Sequence, residues 1–213
     1  MKKLFVLSGF LLMMTLQVSA QQRIVAEVTV TYSIAAEGTG STDKEVIESL
    51  KATTKTTYIK ANDSRTDLAS PSFKQSVFLN KTTGAAVILR EFGNNKYMIR
   101  MDNAKWVAEN KKYEGMTISF PANENKTILG YECKKAVMQL KDGSISTVFF
   151  APNIIPSVRE FEYQFKDIPG FVLEYESQEP ERGKITYTAT KINLSPVQVS
   201  RFDIPTSGYR LLN

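Results

Sequence analysis

Cys133 is the only thiol of this 213-residue chain, and histidine is absent altogether. Histidine is the commonest general base, the usual pH switch and the commonest metal ligand. Without it neither a Ser/His/Asp nor a Cys/His nucleophilic site can be assembled. Zinc is disfavoured on the same ground, since a single thiolate is the only sulfur ligand on offer. Carboxylates remain, 22 of them, and a facing pair could hydrolyse a glycoside. They fall, however, at alternating strand positions or in turns, where exposed charge is the ordinary role. No catalytic residue, metal site or cofactor is therefore assigned, and the chain reads as a non-enzyme. Cys133 has no partner for an internal disulfide, so it is either buried or used between molecules. Its setting, Tyr131-Glu132-Cys133-Lys134-Lys135-Ala136-Val137, reads as a strand in which a small apolar residue is buried.

The compartment follows from residues 1–20. Lys2 and Lys3 form a positive start, residues 4–16 are an apolar run, and Val18-Ser19-Ala20 offers small residues to a signal peptidase. The run is shorter than the roughly 20 residues of a membrane-spanning helix, so no transmembrane anchor is expected. The prediction is a cleaved export signal over 1–20 and one β-rich domain over 21–213, in the periplasm or secreted. Cleavage leaves 193 residues, a suitable length for one domain with a sizeable core. Of 27 basic and 22 acidic residues, Lys2 and Lys3 leave with the signal, which makes the mature charge +3. The densest basic spots, Lys111-Lys112 and Lys134-Lys135, are only pairs. Nucleic acid is not expected as a partner, because it wants a concentrated patch.

The elements that would position any site are mostly strands. Period-two alternation runs through 24–34, 73–80, 85–92 and 96–102, with Thr82-Thr83-Gly84 and Gly93-Asn94-Asn95 as hairpin loops. A second hairpin joins 133–141 to 144–150 through Asp142-Gly143, read as a type I′ turn. Two further strands are predicted at 171–177 and 184–194, and a short one at 197–202. Helix signals are few. Thr42-Asp43-Lys44-Glu45 reads as a capping box ahead of Val46, Ile47 and Leu50. Asn103 caps a short helix carrying Trp106 and Val107 and ended by Gly115, or that segment is a strand.

The expected fold is mainly β, a single antiparallel sheet with one or two short helices. So many strands in one sheet curl, close or split into layers. A curled half-barrel would hold an apolar cleft suited to a carrier of hydrophobic molecules, whereas a filled core gives the same alternation. If the sheet curls, one-sided sets should meet on its concave side: Tyr97, Ile99 and Met101; Ala136 and Met138; Ile145 and Phe149; Phe171, Leu173 and Tyr175. The cleft candidates are Tyr97, Ile99, Met101, Met138, Phe149, Phe171, Leu173 and Tyr175. Met98, Met101, Met116 and Met138 offer an adaptable lining, and the helix after Thr42 a lid.

Two stretches carry a resemblance. Lys126-Thr127-Ile128-Leu129-Gly130-Tyr131-Glu132-Cys133-Lys134-Lys135-Ala136 resembles a segment of small exported bacterial proteins of unknown function. Asp167-Ile168-Pro169-Gly170-Phe171-Val172-Leu173-Glu174-Tyr175 resembles the signature of the GLPGLI family. Pro169 and Gly170 match it and Leu173 fits its aliphatic tail, while Asp167, Ile168 and Phe171 depart from its G, L and L. These families are similar in fold to the LolA/LolB lipoprotein carriers. The resemblance implies a LolA-like half-barrel in the periplasm and, by analogy, a lipid or lipopeptide ligand. It assigns no catalytic role. Gly130 and Gly170 are expected at tight turns or close backbone approaches. The competing reading is a structural or protein-interaction component of the cell envelope that holds a partner protein through a sheet edge or surface patch.

Overall fold

A computed structural model describes residues 22–37, 44–179 and 183–212. The predicted export signal, the capping residues Thr42 and Asp43, and residues 180–182 lie outside them. The protein is mainly β. In chain order the elements are β1 (Arg23–Val25), β2 (Glu27–Glu37), α1 (Lys44–Lys51), β3 (Thr54–Lys60), β4 (Asp63–Ala69), β5 (Phe73–Asn80), β6 (Ala86–Phe92), β7 (Asn95–Met101) and α2 (Asn103–Glu109). There follow β8 (Thr117–Ser119), β9 (Asn125–Ile128), β10 (Tyr131–Gln139), β11 (Ile145–Ala151), β12 (Ile154–Pro156), β13 (Phe171–Glu179), β14 (Gly183–Asn193) and β15 (Arg210–Leu212). No helix of the described residues is long and apolar enough to cross a membrane.

Thirteen strands form one large open sheet in the order β15-β7-β6-β5-β4-β3-β2-β14-β13-β11-β10-β8, with β9 also paired to β10. The single sheet expected from sequence needs correction. β1 and β12 form a separate two-stranded parallel sheet, because the predicted strand at 24–34 breaks at Ala26. The large sheet is antiparallel except at its edge, where β15 runs parallel to β7. Bulges interrupt the pairing between Phe149 and Phe150 and between Ala189 and Lys191. Such insertions bend and twist a strand locally.

The predicted hairpins β5-β6-β7 are present, with Gly84 at φ +67° and Gly93 at φ +57° in their loops. The loop at Asp142-Gly143 differs in type. Gly143 has φ +86° but Asp142 is not in the positive-φ region. The Leu140 carbonyl accepts from Gly143 N at 3.0 Å, and Leu140 N donates to Ser144 O at 2.9 Å. This is a three-residue loop ending on a left-handed glycine, further held by Ser144 N donating to Asp142 Oδ1 at 2.8 Å. The I′ arrangement occurs instead at Leu129-Gly130 between β9 and β10, where φ is +51° and +81°. The strand predicted at 197–202 is a 3₁₀ turn, Val199–Phe202, consistent with Pro196 and Pro205 denying it a ladder. Helix α2 is capped by Asp102, whose Oδ1 accepts from Lys105 N at 2.9 Å, one residue before the predicted cap.

Cross-strand partners share a face, so the register traces one face across the sheet. Ile99, Ile88, Val77, Thr66, Thr57 and Val30 form one row from β7 to β2. Ile34, Tyr187, Tyr175, Val148 and Ala136 continue it from β2 to β10. This inner face is covered in part by α2 and by the 3₁₀ turns Arg159–Phe161 and Tyr163–Phe165. Between β2 and β11 it is a filled core, with Val28, Val30, Val148 and Phe171 fully buried. Gly170 makes that packing possible: a Cβ there would sit 2.4 Å from the Ala151 carbonyl oxygen. On the outer face Phe78, Val87, Leu89 and Met98 form a second cluster beneath Ile204 and Tyr209.

Candidate functional site

From β3 to β6 the core fills only one end of the inner face, where Ile59, Leu79 and Ala86 are buried, and the rest is open. Two adjoining clefts lie there, of about 400 Å³ and about 870 Å³. They share Gln75, Val77, Trp106, Asn110 and Tyr113, so together they form one groove between the sheet and the α2 segment. Both volumes lie within the range usual for small-molecule sites.

The narrow end is polar and aromatic. Lys55 is buried on β3, opposite Tyr32 in register. Its ammonium donates to Glu162 and to the Tyr175 hydroxyl. Three rings surround it, with centroids at 4.6 Å for Tyr175, 5.1 Å for Tyr187 and 5.6 Å for Tyr32. Ring faces attract a cation, which offsets part of the desolvation of the amine. Burial still holds the Lys55 pKa below its ordinary value, opposed by the Glu162 charge. Burial first, and Glu162 second, raise the Tyr32 and Tyr175 hydroxyls well above theirs. Phe161 stacks on Phe171 at 5.1 Å, and Phe165 meets Tyr175 edge-on at 5.0 Å. These contacts pin the 3₁₀ turns that carry Glu162 against the sheet.

The wide end has an apolar floor and a charged rim. Val77, Ile88, Ile99, Met101 and Leu212 supply apolar surface, and Trp106 forms the wall. No residue of α2 is fully buried. The Trp106 indole N–H is shielded from solvent and has no acceptor among the described residues. Arg90 shares the inner face with Tyr97 and Gln75. Its Nε donates to Gln75 Oε1 at 2.9 Å. Lys105 and Lys112 stand at the mouth, with Glu109 the only carboxylate in the lining.

Of the eight candidates read from sequence, Ile99 and Met101 line the wide cleft and Tyr175 the narrow one. Tyr97 is half-buried on the same face, beside Arg90. Met138, Phe171 and Leu173 are buried in the filled core. Phe149 is placed elsewhere. Its register with Lys135 and Glu174 sets it on the outer face, where the Lys126 ammonium lies 5.5 Å from its ring. Ile145 shares that outer face, so this set lies across the sheet from the other three, although Phe149 is still packed against the main core cluster. Met98 also belongs to the outer face. The covering helix is α2 rather than α1, none of whose described residues lines either cleft.

Lys55, Glu162, Tyr187, Trp106 and Arg90 were not among the sequence candidates. Cys133 is fully buried, its thiol 3.5 Å from the Tyr131 carbonyl oxygen. Loss of solvation pushes its pKa up to about 11. No protein-family model matches the chain, and no curated protein matches its sequence.

Proposed function

We propose that this is an exported, periplasmic, non-enzymatic binding or carrier protein for a hydrophobic ligand of lipid or lipopeptide kind, related to the GLPGLI and LolA/LolB-like proteins. In this reading the large sheet curls as a half-barrel and α2, with the 3₁₀ turns, is its partial cover. The observation that carries it is the groove itself: the inner face leaves a cleft open between the sheet and α2, and its wide end lies over Val77, Ile88, Ile99 and Met101. Burying an acyl chain there would contribute about 0.8 kcal/mol per methylene. The test is thermal unfolding of the mature protein with and without added fatty acid or lipopeptide. A ligand at about 100 times its Kd should stabilise the native state by about 2.7 kcal/mol. The Ile99→Ala and Met101→Ala variants should show a smaller gain. No gain for the parent protein with either ligand would overturn the reading.

The envelope-interaction reading has one observation in its favour. Edge strand β15 is exposed along its length, with Leu211 at 55% and Leu212 at 37%, and an exposed edge can accept a further strand.

A further inference from the structure

The groove is electrically lopsided, and this says something about its occupant that the apolar floor does not. At the narrow end Lys55 and Glu162 neutralise one another. At the wide end the lining contains Arg90, Arg100, Lys105 and Lys112 against Glu109 alone. Arg100 is discounted, because by strand alternation its side chain belongs to the face opposite Ile99 and Met101. The other three still exceed the single carboxylate. Arg90, Lys105 and Lys112 form no ion pair among the described residues. Arg90 is the telling one. Gln75 holds its Nε, which fixes the guanidinium plane, and its two terminal nitrogens have no acceptor among the described residues. A fixed planar fork of this kind matches a carboxylate in two-point geometry. The Trp106 indole N–H, in the wall common to both clefts, also lacks an acceptor. The occupant that answers both the apolar floor and the spare donors is a chain with an acidic head.

Resting on the apolar-ligand reading above, we infer that the wide cleft takes a single-chain anionic amphiphile, a long-chain fatty acid, with its carboxylate on Arg90 and its chain over Val77, Ile88, Ile99 and Met101. Lys105 and Lys112 attract the head to the mouth without fixing it.

Trp106 is the only tryptophan in the chain, so its fluorescence reports occupancy of the groove directly. The experiment titrates the mature protein with oleate and with oleyl alcohol, which differ only at the head, below their aggregation concentrations. Oleate should bind about tenfold or more tightly, the increment of one charge-assisted hydrogen-bonded contact. Arg90→Gln should remove that advantage and leave oleyl alcohol within about twofold of its parent value. The Lys105→Gln/Lys112→Gln variant changes only exposed positions. It should fold normally and flatten the salt dependence of oleate binding. Equal affinity of the parent protein for the two compounds would overturn the inference while leaving an apolar site standing. Equal weakening of both by Arg90→Gln would also overturn it. Binding of neither compound would overturn the apolar-ligand reading itself.

Discussion

Replacing Glu162 by glutamine removes the counter-charge of a lysine that is almost entirely buried. The Lys55 side chain is 7% exposed and that of Glu162 17%, so the scale for a buried pair applies rather than the 0–1 kcal/mol of a surface bridge. Breaking such a pair from one side costs about 3–5 kcal/mol. With a urea m-value of about 2 kcal/mol/M, the unfolding midpoint should fall by about 1.5–2.5 M. The three tyrosine rings remain and soften the loss, which favours the lower half of that range. Removing the charge as well, in Lys55→Met/Glu162→Gln, should recover most of the stability. About 1 kcal/mol stays lost, because the Tyr175 hydroxyl no longer has Lys55 as its partner. The pH dependence supplies a second readout. Without Glu162 the Lys55 pKa falls further below 10.5, so the folded state binds fewer protons than the unfolded state in the window below that value. Stability of Glu162→Gln should therefore rise between pH 7 and pH 9, and the double variant should lack that rise. The assay is urea unfolding followed by far-ultraviolet circular dichroism at both pH values. A loss under 1 kcal/mol in Glu162→Gln with no pH dependence would show a hydrated lysine, and would refute the buried-pair account of the narrow cleft.

Four further outcomes are expected. Gly170→Ala should be strongly destabilising, by several kcal/mol, because the new Cβ meets the Ala151 carbonyl group, which cannot turn aside without breaking the β11-β13 ladder; an unchanged melting temperature would refute that contact. Leu129→Asn should stabilise by about 0.5–1 kcal/mol, since asparagine tolerates the left-handed region better than leucine and Leu129 is 42% exposed; a lower melting temperature would contradict the turn geometry. Cys133 should resist a thiol reagent at pH 8 until the protein unfolds, so rapid labelling of native protein would contradict its burial. Above about pH 9 the protein should lose stability, as measured by urea midpoints. Cys133, Tyr32 and Tyr175 are all held protonated by burial, and their contributions are present below their unfolded-state pKa values and lost as pH rises through the raised folded ones. Tyr209, raised to about 12 by burial and by its hydrogen bond to Glu91, adds to these three, and only Lys55 acts with the opposite sign, so a midpoint that rose across this range would contradict the assignment.

The strands legible in the sequence are those rich in apolar residues and bounded by glycine, asparagine or proline. In β7, Tyr97, Ile99 and Met101 alternate with Lys96 and Arg100, and glycines mark the loops on its near side. The central pair β3 and β4 escaped, for a physical reason. The inner positions of β3 are Lys55, Thr57 and Ile59 and those of β4 are Ser64, Thr66 and Leu68, of which Lys55, Thr66 and Leu68 line the narrow cleft. Four of these six residues are polar and so are most of their outer neighbours, which leaves little period to read. The turn between them offered no signal either, since the position at φ +52° is Ala61 rather than glycine. The sequence pattern was thus least legible at the proposed site, where consistency between local pattern and global fold is most often broken. The cationic rim had the same fate. Arg90, Lys105 and Lys112 are scattered charges along the chain and become neighbours only when β6, α2 and the following 3₁₀ turn enclose one cleft. Alternation along β11 alone does not tell which face Phe149 takes; the register to β10 does, because it pairs Phe149 with Lys135 rather than Ala136.

The central claim is that the groove between β3 and β7 carries an apolar molecule, and native mass spectrometry of protein purified from its own cell envelope tests it most directly. The expected spectrum contains the mature protein with an added mass in the lipid range, released on collisional activation and lost when Ile99 is replaced by a charged residue in a variant that melts at the parent temperature. A spectrum containing only unliganded protein, from preparations never exposed to detergent, would contradict the claim.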